Sequence, residues 1–427
     1  MKSVAWVSWF SLASMCFMSS AAFSAGSGKP LTLEEALSSA ATTHPDLLAA
    51  QADRDIALAD ADLAASRQDT NVNLEGILRS GRQTTGSNEF ARDNSIRLTA
   101  RKTLYDFGRT DAAQLAATSE VSAREAELIG ARDRQRIEIM ARYFDVLIAD
   151  QQFTADNEYM AVAYVSFDQG HDRLATGQIS QVELAELEAH YQDIFVKRNA
   201  SEQRQRIARA LLANAMNQPG NLPGDLEDPK LAGNQRVVPE YEKLIPVMQD
   251  NNPRLLAQQA MLNAVQQRLQ GVRAEYRPTL DAEVQAADYS RSAATRDNLS
   301  AGLILSWPLY QGNRVDARIA REQAQFHKLQ AGAEKLKMEL TQALLETHFE
   351  ILQLQRAGRG AAKVQGAYRD LLLEKSRGLY EMELKTNLGT SMADTVDANL
   401  RIRKNEYQLA LAFARLEALL GKPLEGK

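Results

Sequence analysis

The stretch LTARKTLYDFGR, residues 98–109, returns as LILSWPLYQGNR at residues 303–314. Both spell Leu-Tyr, a short polar turn containing glycine, and then Arg. The offset, 309 − 104 = 205, also carries YFDVL at Tyr143 onto HFEIL at His348. HPDLLAAQA from His44 matches NPRLLAQQA from Asn252 at 252 − 44 = 208, so the register drifts little across the unit. The chain is a tandem duplication of a unit of roughly 200 residues, far longer than a solenoid repeat. Any fold that suits one half must therefore suit the other.

Helical signals dominate each half. From Thr110 to about Asp168, and from Val315 to about Arg377, the chain runs without a proline and is rich in Ala, Leu, Glu, Gln and Arg. A helix of some 60 residues is about 90 Å long, longer than an ordinary domain is wide, so it must pack sideways on a partner. Ile137, Met140, Ala141, Phe144, Leu147 and Ile148 keep a three-four spacing that makes one narrow apolar stripe. Further helices are predicted from Thr32 to about Gln68, with Thr32 as cap and Glu35 three residues on, and from Ser180 to about Met216. The second half adds Pro239 to about Glu275 and Thr390 to about Leu420. Between the halves, the stretch NQPGNLPGDLEDPKLAGNQRVVP, with four prolines and three glycines, reads as a linker.

Between the first and second helix of each half the period changes to two. Val72, Leu74, Gly76 and Leu78 alternate with polar residues. Ile96, Leu98 and Ala100 alternate with Arg97, Thr99 and Arg101; Leu280, Ala282, Val284 and Ala286 alternate with Asp281, Glu283 and Gln285. Leu299, Ala301, Leu303, Leu305 and Trp307 complete the set. Four strands are predicted, at about 71–83, 93–105, 279–290 and 297–309, forming two hairpins. A soluble hairpin would lay its apolar face on a core, but the neighbouring helices spend their narrow stripes on one another. Strands of about ten residues with one apolar and one charged face suit a membrane barrel, apolar side to lipid and polar side to a wet lumen. No open sheet edge can be left in hydrocarbon. Four strands cannot close a barrel, so neighbouring copies of the chain must supply the rest.

Composition removes other classes. The chain is 44% hydrophobic and 25% charged, with a formal charge of −5, which makes nucleic acid an unsuitable partner. The five histidines stand singly, no glycine-rich phosphate loop occurs, and an enzyme, a cofactor or a bound metal has no motif to support it. After the first 24 residues no run of 18 apolar residues exists to make a spanning helix. Those first residues, with Lys2 before an apolar core from Val4 to Met18 and small residues after it, have the pattern of a cleaved secretory signal, a retained anchor helix being the alternative. Cys16, the sole cysteine, lies inside this segment, and the LASM before it lacks the small residue expected ahead of a lipidated cysteine. The mature chain would carry no thiol.

The order LTLEEALSSAATTHPDL, LYDFGR, RYFDVLIAD, WPLYQGNR and GTSMADTVDA, set in a tandem repeat, resembles the TolC-type outer-membrane efflux and secretion channels over nearly all of the mature chain. The resemblance implies a mainly α fold with a transmembrane β-barrel. Three protomers would each give four strands to one 12-stranded barrel and long coiled-coil helices to an α-barrel crossing the periplasm. The organisation is then a signal peptide at 1–24, a first repeat at 25–216, a linker at 217–240 and a second repeat at 241–427. The implied function is a passive exit duct of a tripartite efflux or type I secretion system, without enzymatic activity or cofactor. Its partners would be two further copies, outer-membrane lipid, a periplasmic adaptor (membrane fusion) protein and an inner-membrane ABC or proton-driven pump. ARKTLYDFGR and the lack of a lipidated cysteine resemble ducts serving type I secretion more than lipidated drug-efflux ducts. The alternative is a soluble periplasmic coiled-coil adaptor or scaffold, but that would nest one helical hairpin within compact β domains instead of repeating in tandem.

Two sets of residues stand out. Tyr105, Gly108 and Arg109, and their counterparts Tyr310, Gly312 and Arg314, mark strand-to-helix junctions, where glycine permits a sharp change of direction and an amphipathic aromatic suits a membrane interface. The resemblance also implies a periplasmic gate at Asp394 and Asp397, whose i, i+3 spacing puts both carboxylates on one helix face; the alternative is a pair of first-turn aspartates favoured by the helix dipole. The segment departs from the family pattern. It is one residue short between Gly389 and Asp394, Ser391 stands where an Arg is usual, and the matching first-half segment has Gln181 where an Asp is common. Glu183 and Glu186 are the other carboxylates available there.

Overall fold

The computed structural model describes residues 29–39, 44–82, 90–290, 296–382 and 388–424. The predicted signal segment with Cys16, and the centres of both predicted hairpin loops, lie outside these residues. The order is α1 (Leu33–Ser39), α2 (Pro45–Ala65), β1 (Asn71–Ile77), β2 (Ser80–Arg82), β3 (Phe90–Arg92), β4 (Ser95–Tyr105), α3 (Arg109–Ala175) and α4 (Gln181–Ala215). The second half gives α5 (Tyr241–Asn251), α6 (Pro253–Arg273), β5 (Thr279–Tyr289), β6 (Leu299–Ser306), α7 (Arg314–Gln353), α8 (Arg359–Glu381) and α9 (Leu388–Leu420). The protomer is mainly helical, with one four-stranded antiparallel sheet in the order β1-β4-β5-β6. No described helix is long and apolar enough to cross a membrane.

The 67-residue α3 is about 100 Å long. Its counterpart is helical from Arg314 to Glu381 but is interrupted by a π turn at Leu354–Gly358. The cause sits on α9: the buried Asn405 side chain is driven against Gly358, and its amide donates to the Leu354 carbonyl at 3.3 Å. An inserted polar side chain that takes up a freed carbonyl is what makes such a turn tolerable.

Two predicted helices are each broken by a proline. His44 and Asn252 are extended (ψ 133° and 122°), because Pro45 and Pro253 disfavour helical backbone in the residue before them. Each then caps the next helix: His44 Nδ1 accepts from the Asp46 N–H at 3.3 Å, and Asn252 Oδ1 from Arg254 at 2.9 Å. The expected Thr32 cap closes a reciprocal box with Glu35 ahead of α1.

Sheet register puts Leu74, Leu98, Ala286 and Leu299 in one row across all four strands, with Val72, Ala100, Val284 and Ala301 in the next. This face is solvent-open in the protomer, with Leu74 68% and Leu303 68% exposed. The opposite face pairs Arg97 with Glu75, Arg101 with Glu283, and Thr103 with Asp281; Ile304 is its one large apolar residue in β6. The first strand is shorter than predicted: β2 leaves the main sheet to pair with β3 alone. At that end Asp93 is buried between Arg79, whose Nε lies at 2.7 Å, and Arg296 at 3.0 Å, so one carboxylate ties both hairpins.

The core lies midway along the helices. Ile139, Tyr143 and Phe144 of α3 pack with Leu212 of α4 and Tyr407 of α9, Phe144 stacking on Tyr407 at 4.8 Å. A second cluster joins Met248, Leu344, Ile351, Leu409 and Phe413. The linker is stitched around both clusters. Tyr143 Oη lies 2.7 Å from Leu31 O and 2.6 Å from Glu227 O, and burial pushes this phenol up to about 12. Tyr407 donates to Asp228, Asn234 donates to Glu406, Gln355 donates to the Arg236 carbonyl, and His348 Nε2 lies 3.1 Å from the Pro239 carbonyl.

Candidate gate and strand-to-helix junctions

Both junctions use left-handed backbone. Gly108 has φ 85° and Gly312 φ 59°, and Phe107 joins the first turn at φ 57°; at such angles an L side chain is strained and glycine is not. Asp106 accepts from the backbone N–H of Gly108, Arg109 and Thr110, satisfying donors that open α3. A register shift between Thr103 and Tyr105 pairs Tyr105 with Leu280 on the apolar face, its ring edge-on to Phe107 at 4.7 Å. Tyr310 is 90% exposed. Trp307 donates to the Tyr276 carbonyl at 3.2 Å. The halves echo each other here: Gln68 donates to Asp111 at 3.2 Å, and Tyr276 donates to Asp316 at 2.7 Å.

Asp394 and Asp397 lie on the early turns of α9, both partly buried. Asp394 Oδ1 accepts from the Tyr159 hydroxyl at 2.7 Å, and its other oxygen pairs with Arg369 of α8. Asp397 pairs with Arg401 one turn on, at 2.8 Å. Burial first, and then the Asp394 carboxylate, hold the Tyr159 phenol well above its ordinary pKa, so it remains a donor. Ser391, where the family pattern has an arginine, has its hydroxyl 2.8 Å from that of Ser376. The arginine on this aspartate comes from α8 instead.

Tyr159 is held in turn from α4. Three residues before it on α3, Asp156 is 1% exposed and pairs with Lys197 Nζ at 3.0 Å. The same ammonium lies 5.7 Å from the Tyr159 ring centroid, within cation–π range. Four helices, α3, α4, α8 and α9, thus meet in one charged cluster. Gly389 fits beside them because a Cβ there would strike Val162 of α3.

The other predicted carboxylates do not join this cluster. Gln181, Glu183 and Glu186 make no hydrogen bond or ion pair with either aspartate. Glu183 closes a capping box with Ser180, whose backbone N–H donates to it at 2.6 Å and lowers its pKa; Gln181 and Glu186 are exposed. Sequence reasoning missed Tyr159, Arg369 and the Asp156–Lys197 pair, since no local pattern links residues so far apart in the chain.

A sequence profile for the family described as outer membrane efflux protein matches residues 36–218 and 244–422. No curated protein gives a significant match. Among solved structures the chain is similar to the outer membrane protein VceC of Vibrio cholerae, with 17% identity, TM-score 0.74, and 92% of this chain and 97% of that one covered. It is similar to a membrane protein from Pseudomonas aeruginosa (18% identity, TM-score 0.75, coverage 92% and 91%). The CmeC outer membrane channel of Campylobacter jejuni gives 13% identity and TM-score 0.74, with 91% and 85% covered. At these identities the likeness is one of fold.

Proposed function

The chain belongs to the outer membrane efflux protein family, and from that premise we propose that it is a homotrimeric, passive exit duct through the outer membrane. It would receive cargo from an inner-membrane pump through a periplasmic adaptor. The observation that carries this reading is the sheet: four strands with a continuous exposed apolar face and two unpaired edges, β1 and β6. Hydrocarbon tolerates the face but not the edges, and three copies joined β6 to β1 satisfy both demands. A signal peptide at 1–24, repeats at 25–216 and 241–427, and hairpin loops directed outside the cell complete the proposal. The test is membrane fractionation: a heat-modifiable oligomer in the outer membrane supports the duct, whereas a freely soluble product supports a periplasmic scaffold.

The gate belongs to the same proposal. Three copies of Asp394 and Asp397 would make two acidic rings in a narrowing tunnel, where converging carboxylates raise the local cation concentration. Tyr159 and Arg369 would act as the lock, fastening α9 to its own protomer and offsetting the Asp394 charge at rest. Asp394→Ala with Asp397→Ala should lower cation selectivity in planar bilayers and weaken block by multivalent cations added on the periplasmic side. Unchanged selectivity and block in an assembled trimer would make these two aspartates ordinary helix-start residues.

A further inference from the structure

Where the sheet passes into the helices, Arg109, Arg277 and Arg314 line one cavity of about 650 Å³ with Glu275, Thr279 and Ser306.

 The three guanidiniums come from separate places: Arg109 opens α3, Arg314 opens α7, and Arg277 leads into β5. Thr279 and Ser306 are paired in register on the face that carries Asp281, Glu283 and Gln285. The cavity therefore borders the polar face of the sheet, with Trp307 of the alternating apolar set also in its lining.

Nearby carboxylates are committed elsewhere. Asp106 caps α3, Asp111 takes the Gln68 amide, and Asp316 takes the Tyr276 hydroxyl. Glu275, the one carboxylate in the lining, is held through both oxygens by Arg318 at 2.8 Å. The arginines are correspondingly underused. Arg109 reaches only the Ala274 carbonyl, at 3.4 Å, and its Nε is buried without a partner. Arg314 has only the Gln311 amide oxygen, and the Arg277 side chain has no hydrogen bond or ion pair among the described residues, its backbone N–H alone bonding to the Ala274 carbonyl.

A guanidinium is a planar fork matched to the oxygens of phosphate and carboxylate, and the positive ends of α3 and α7 add to the same field. We propose that this cavity is a binding site for phosphate-type oxyanions. It goes beyond the duct reading, which stands whether or not the site binds. A phospholipid headgroup offers the same chemistry, and the vesicle arm of the test distinguishes it from a free oxyanion.

Trp307 lines the cavity and serves as its reporter. Tryptophan emission of the purified full chain, titrated with inorganic pyrophosphate, should change saturably, and the change should vanish in Trp307→Phe. Arg277→Gln with Arg314→Gln should weaken binding by at least about tenfold, a loss of about 1.4 kcal/mol. Arg277→Lys should restore part of it, and Arg321→Gln, on an exposed turn of α7, should leave it intact. Three results would overturn the proposal: no saturable change in the wild type, equal affinity in the double variant, or a response to vesicles of phosphatidylglycerol but not to pyrophosphate. Loss of the oligomer in the double variant, with no anion binding in the wild type, would assign the arginines to a neighbouring copy.

Discussion

The Tyr159 hydroxyl, on α3, donates to Asp394 of α9 at 2.7 Å, while Arg369 of α8 holds the other oxygen of the same carboxylate. A hydrogen bond to a charged acceptor contributes about 1.5–3 kcal/mol. Tyr159→Phe keeps the ring and removes only the donor, so resting conductance in planar bilayers should rise while stability falls by no more than about that amount. Arg369→Gln should raise conductance and also cation selectivity, because it uncovers the Asp394 charge. Identical traces from wild type and both variants would remove this cluster from the gate.

The two faces of the sheet should respond oppositely to the same substitution. Leu303→Arg or Val284→Arg puts a charge on the apolar face and should cost about 2–4 kcal/mol near the membrane midplane. Gln285→Arg, on the polar face, should be nearly silent. Yield of folded oligomer in outer-membrane fractions measures both, and equal tolerance would contradict a lipid-facing surface.

Gly358→Ala should destabilise more than a surface helix substitution, since the new Cβ meets the Asn405 side chain. Overpacking of this kind costs about 1–3 kcal/mol. Pairing it with Asn405→Ala should recover much of the loss in thermal unfolding, because the obstruction is then gone.

Acid should loosen the helical middle through Glu406. The Arg359 guanidinium, and after it the Asn234 amide, hold this carboxyl below its usual 4.5 despite an opposing effect of burial. A depressed folded-state pKa means that its stabilisation is fully present above the unfolded value and is lost as pH falls through the folded one. The unfolding temperature should therefore decline below about pH 4.5, and Glu406→Gln should flatten that decline while lowering stability at neutral pH.

Local periodicity made much of this fold legible. The period of two at Ile96–Ala100 and Leu280–Ala286, and the unbroken helical composition after Thr110 and Val315, are properties of neighbouring residues, and both elements form. The prolines at 45 and 253 were visible too, but the helical pattern resumes on either side of each and hides the break. The π turn could not be read, because its cause, Asn405, sits on another helix. At the proposed gate, Asp394 and Asp397 were marked by their spacing and by the family resemblance. Tyr159, Arg369 and Lys197 were not, because a contact made by packing long helices side by side leaves no trace in any short window.

The stitched linker has a mechanical consequence. Asp228, Asn234 and the Arg236 and Pro239 carbonyls fasten it to α9, to the π turn and to α7, while the Glu227 carbonyl fastens it to α3. These fastenings sit at mid-length, beside the largest buried side chains. The long helices are thus levers pinned at a fulcrum: under the proposed gate, releasing Asp394 would free the far arms to swing while the near arms, and the sheet they carry, stayed still.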